Sequence, residues 1–159
     1  MLYVAVTDVD ATVQRAKALG ARVEVGPREI PGDTAPAPLE ISWRELATTD
    51  REAATDFYAA LFGWERQNAI DMGEPVGVYQ EFGRPGISLG GIYRKPDDMP
   101  FPPHWLLYAK VPDLDASLAA ARAAGGKVVM GPREIPGGDR IAEVLDPQGA
   151  PFALHQPKG

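Results

Sequence analysis

The 159-residue chain contains no cysteine, which removes disulfides and every zinc or iron–sulfur site built on thiolates. Histidine is nearly as scarce, with His104 and His155 the only two. No apolar run approaches the ~18–20 residues of a membrane span. The N-terminus has neither the charged nor the apolar region of a secretory signal. Positive charge is short, 16 Lys and Arg against 22 Asp and Glu for a net −6, and nucleic acid asks for a basic face. These absences leave a cytoplasmic protein with no membrane and no nucleic-acid partner as the expectation. No Ser-His-Asp set, phosphate-cradling glycine loop or paired-carboxylate spacing stands out.

What the chain does have is a repeat. Gly26-Pro27-Arg28-Glu29-Ile30-Pro31-Gly32 recurs letter for letter as Gly131-Pro132-Arg133-Glu134-Ile135-Pro136-Gly137, an offset of 105 residues, and 16 of the 30 positions from Tyr3 to Gly32 match. A unit has been duplicated. In the first copy Leu2–Val6 reads as a strand, Asp8 as a helix cap, Val9, Val13, Ala16 and Leu19 as a helical stripe closed by Gly20, and Ala21–Val25 as a second strand. The Pro-rich stretch to Pro38 reads as a linker. Two longer runs follow, residues 41–94 and 104–157, each strand–helix–strand–strand–strand. The repeat is read as a fixed turn, with Arg133 and Glu134 a solvent-facing pair.

The pattern Asp50…Phe57-Tyr58…Leu61-Phe62-Gly63-Trp64, together with Asp146-Pro147-Gln148-Gly149, resembles the vicinal oxygen chelate superfamily of glyoxalases, bleomycin-resistance proteins and extradiol dioxygenases. It looks closest to the glyoxalase-like branch with two domains in tandem. The resemblance implies an α+β fold of paired βαβββ modules over 41–159. Residues 1–32 are then a partial βαβ module left from an upstream domain, joined by a linker at 33–40. An incomplete module leaves edges that need a partner, so a homodimer is expected.

The resemblance also supplies a test for chemistry. Metal enzymes of this family place His, Glu or Gln seven residues before each capping Asp and seven after the Asp of the Asp-Pro-x-Gly turn. Those positions hold Trp43, Leu106 and Ala153 here, so no metal and no cofactor is expected. Strand alternation puts Glu45, His104, Tyr108 and His155 on the same faces as these residues. A histidine-held metal is disfavoured, because two histidines displaced in opposite directions along parallel strands fall roughly 13 Å apart. Glu45 is the one candidate catalytic base, against the plainer reading of a carboxylate paired with Arg or with backbone N–H groups. The expected function is metal-independent binding of a small organic molecule, lined by Trp43, Glu45, His104, Leu106, Tyr108 and His155. The alternatives are a metal-dependent lyase, isomerase or dioxygenase, and a ligand-free assembly module. Whether the chain is an enzyme stays open at this point.

Overall fold

The computed structural model describes residues 4, 6–24, 26 and 41–158. Helix α1 (Val9–Ala18) comes first. Two βαβββ runs follow in series. The first is β1 (Ile41–Thr48), α2 (Arg51–Phe62), β2 (Glu65–Asp71), β3 (Val78–Arg84) and β4 (Ile87–Arg94). The second is β5 (His104–Lys110), α3 (Leu114–Ala123), β6 (Lys127–Glu134), β7 (Arg140–Leu145) and β8 (Pro151–Gln156). The fold class is α+β, as the sequence pattern implies. The chain divides into two compact units, Met1–Ala37 with Ala47–Pro103, and Pro38–Leu46 with His104–Gly159. Most of β1 therefore groups with the second run.

The same local chemistry starts each helix. Asp8, Asp50 and Asp113 lie in extended backbone, and each carboxylate accepts from the N–H three residues on, at 2.9, 3.0 and 2.9 Å. Each satisfies one donor that the first turn leaves without an intrahelical partner. Gly63 closes α2 in the left-handed region, at φ 71°, where a side chain would be strained.

In the first unit β2, β3 and β4 form an antiparallel series. Phe57, Tyr58 and Phe62 of α2 form an aromatic cluster with Trp64 and with the buried Phe82 of β3; the Trp64–Phe82 rings stack at 4.5 Å. The three helical aromatics are half-buried, and the residues that α2 buries fully are Thr55 and Leu61. Gly91 of β4 has no room for a side chain, because a Cβ would sit 1.9 Å from the Tyr79 ring. Gly91→Ala is expected to lower stability by about 2 kcal/mol, since the ring must leave its place. Chemical denaturation checks this, and an unchanged midpoint would show that Tyr79 turns away freely.

In the second unit the strand order is β1-β5-β8-β7-β6. β5 and β8 run parallel, with Tyr108 beside Ala153 and Lys110 beside His155. β8–β7 and β7–β6 are antiparallel. One sheet face carries α3: Leu114 and Leu118 pack with Ala142, Val144 and Leu154, every one of them buried. The opposite face gathers Leu106, Tyr108, Ile141 and Ala153 as a buried patch, with Trp43, Met130 and Ile135 packed against it.

Two expectations change here. The first copy of the repeat is not strand–helix–strand among the described residues: Val4, Val6 and Ala21–Glu24 lie outside any strand, and only the helix is present. A strand exists by pairing, and α1 buries no residue that would hold flanking segments against a sheet. The repeated motif in the second copy is also not a turn at its start. β6 runs through Gly131-Pro132-Arg133-Glu134. The chain reverses only afterwards, where Gly138 N–H donates to Ile135 O and Ile135 N–H to Asp139 O. The linker at 33–40 and most of the first motif copy lie outside the described residues.

Candidate functional site

The face of the second unit opposite α3 holds most of the side chains singled out from the sequence. Reading across the sheet, Met130 pairs with Glu143, Glu143 with Ala153, and Ala153 with Tyr108. Partners in register share a face. One row therefore crosses four strands, and the Tyr108 hydroxyl donates to Glu45 Oε1 at 3.2 Å. Leu106 is buried two residues along β5, and Trp43 packs against the same patch. Glu45 is thus a paired carboxylate, and the Tyr108 phenol is one of its partners.

His155 occupies a different setting. Its Nδ1 lies 2.8 Å from Ser42 Oγ and its Nε2 2.8 Å from Asp139 Oδ2. The Ser42 hydroxyl also donates to the Tyr108 carbonyl at 3.2 Å. This is a Ser-His-Asp line that no sequence spacing reveals, since its members lie 113 and 16 residues apart. Its ends are tied to the fold, because Asp139 Oδ1 accepts the Lys158 N–H at 2.9 Å. The Asp139 carboxyl is held below its ordinary value, first by that Lys158 N–H and then by His155. The chemistry is that of a tie between strands.

Sequence reasoning missed Glu143. It sits on β7 between Ile141 and Leu145, half-buried. Burial pushes its carboxyl above the ordinary 4.5, and the Arg133 and His104 charges pull partly the other way. The available signal was a lone acid inside Ile141-Ala142-Glu143-Val144-Leu145. A raised carboxyl makes the folded state the better proton binder. It therefore costs nothing below about pH 4 and destabilises increasingly as pH climbs through the unfolded and then the folded value. Glu143→Gln is expected to raise the melting temperature by about 2 °C at pH 7, after discounting for its solvent-facing edge, and by nothing near pH 4. Thermal melts at the two pH values decide it, and a loss at pH 7 would show an unrecognised stabilising partner.

The metal that the family resemblance brings into question does not fit these residues. An indole, an isobutyl group and a methyl group at Trp43, Leu106 and Ala153 offer no lone pair suited to a divalent ion. Because Lys110 sits beside His155, His104 lies six positions further along the parallel neighbour. That is about 20 Å at ~3.3 Å per residue, more than the sequence alone suggested. Among the described residues no group of three or more His, Asp or Glu could hold a metal ion, and no helix is long and apolar enough to cross a membrane.

The βαβββ runs and the Asp-capped helices define the class: the chain belongs to the Glyoxalase/Bleomycin resistance protein/Dioxygenase superfamily, whose family model matches residues 40–154. Among curated relatives, the anthracycline biosynthesis protein DnrV of Streptomyces peucetius is 33% identical over 131 residues, covering 74% of this chain and 47% of DnrV. "Putative glyoxylase CFP32" of Mycobacterium tuberculosis is 38% identical over 117 residues, covering 72% of this chain and 43% of that protein. The chain thus spans less than half the length of these relatives. Among solved structures, Streptomyces coelicolor methylmalonyl-CoA epimerase in complex with 2-nitronate-propionyl-CoA has a TM-score of 0.54 at 20% identity, covering 76% of this chain and 98% of the epimerase. The Mycobacterium tuberculosis methylmalonyl-CoA epimerase gives the same TM-score and identity, covering 78% of this chain and 93% of that one. At that identity the likeness speaks for the fold alone.

Proposed function

We propose that the second unit binds a small organic molecule on the sheet face opposite α3, and does so without a metal. The observation that carries this reading is the composition of that face. Where metal enzymes of the family carry ligands, Trp43, Leu106 and Ala153 contribute to an apolar floor instead, and Glu45, Glu143 and His104 stand around it. A largely apolar surface with a few placed polar groups is the usual make-up of a small-molecule site. Structural neighbours in complexes with CoA esters support a ligand-binding role for the fold.

Thermal shift and titration calorimetry with a panel of aromatic and aliphatic compounds, all in EDTA, test the reading. A hit that is retained with chelator and weakened about tenfold by Trp43→Ala is the expected result, since a buried aromatic anchor carries more than 1 kcal/mol. A turnover that is lost on chelation and restored by one divalent ion would replace it with the enzyme reading. Similarity to a putative glyoxylase supports that second reading. In it Glu45 or Glu143 supplies the base. The homodimer expected from the N-terminal fragment remains a proposal, checked by sedimentation.

A further inference from the structure

We propose that this same face recognises a small organic carboxylate joined to an apolar body, through Arg133 of the duplicated motif. The inference rests on the ligand-binding reading above and adds the charge class of the ligand.

Met130 pairs with Glu143 and Arg133 with Ile141, so three steps along β6 match two along β7. Without that extra residue, alternation would send Met130 and Arg133 to opposite faces. The bulge puts both on the face of Glu143 and Ile141, and bulges serve to re-aim side chains. Gly131 makes it possible. Its φ is +82°, and a Cβ there would meet the Ile141 carbonyl oxygen at 2.7 Å. The Gly-Pro-Arg sequence that looked like a turn is thus the device that aims the arginine.

The pairing read from sequence does not form. Glu134 lies in register with Arg140 and acts on its charge, whereas Arg133 acts on Glu143. Arg133 is exposed, and among the described residues no carboxylate forms an ion pair with it. A guanidinium presents paired donors that match a carboxylate. Burial raises the Glu143 carboxyl and so favours its neutral form, which can donate to an anion where the ionised form would repel it. A cationic ligand would meet the Arg133 charge directly.

Three compounds of one shape separate the possibilities: 2-naphthoate, 2-naphthylmethanol and 2-naphthylmethylamine, titrated at pH 6 in EDTA. The expected order puts the naphthoate about tenfold tighter than the alcohol, the scale of one charged hydrogen bond. Arg133→Gln should return naphthoate to the alcohol's affinity and leave the alcohol within about twofold, with Arg133→Lys between. Arg133 is exposed, so the variants should melt with the parent. Equal binding of all three compounds, tightest binding by the amine, or naphthoate affinity indifferent to Arg133→Gln overturns the anion proposal and leaves the ligand-binding reading standing. Binding of none of them at millimolar concentration sinks both.

Discussion

Leu114→Ala and Leu118→Ala are each expected to cost about 3 kcal/mol, or roughly 6–12 °C in melting temperature for a chain of this length. Both side chains are essentially inaccessible, at 0% and 1% exposure. They pin α3 to Ala142, Val144 and Leu154, so truncation leaves a void that the sheet cannot close. The repeat supplies an internal control. Val9 and Val13 stand 105 residues upstream at the same helical positions, behind the same aspartate cap. Yet α1 buries none of its residues, and Val9 is 51% exposed. Val9→Ala and Val13→Ala should therefore stay within about 0.5 kcal/mol of the parent. Urea denaturation followed by tryptophan fluorescence compares the four variants. A large loss at Val9 would contradict the picture of a helix with no buried residue, and a loss that shrinks on dilution would mean that a second copy covers α1.

That contrast shows what sequence can carry. Cap, stripe and terminal glycine are local, and they give α1, α2 and α3 their limits whether or not a sheet is available. Strands are not local. Tyr3–Val6 and Ala21–Val25 share Tyr3, Val6 and Val23 with their later counterparts, and the described residues among them form no strand, because the decisive term is a neighbouring edge. The site divides in the same way. Alternation placed Trp43, Glu45, Leu106 and Tyr108 around one face, since period-2 geometry survives whatever the strands pair with. It could not place Met130 and Arg133 on one face, because β6 shifts register twice, between Val128 and Met130 and between Met130 and Arg133. Nor could it find the partner of His155: Asp139 lies past a turn, and Ser42 is contributed by a strand from the opposite end of the described fold.

His155→Ala is expected to destabilise the second unit by about 2 kcal/mol. The ring is mostly buried, its side chain 16% exposed, and both nitrogens are engaged, so truncation strips a partner from Ser42 and from Asp139 together. Ser42 belongs to β1, His155 to β8, and Asp139 to the reversal between β6 and β7. The one ring ties three places in the sheet. Asp139→Asn tests the electrostatic half of the tie. A carboxyl held below its ordinary value stabilises the fold above the unfolded pKa, and that contribution is lost as pH falls through the lower folded value. Parent and Asp139→Asn should therefore differ at pH 7 and converge once the pH drops below the ordinary carboxylate range. Asp139 also accepts from Lys158 N–H, so the double variant His155→Ala with Asp139→Asn should lose less than the sum of the singles. Urea midpoints at pH 7 and pH 3 read all three comparisons. Strict additivity would mean that His155 and Asp139 act independently despite their 2.8 Å approach, and the tie would reduce to the bond with Ser42.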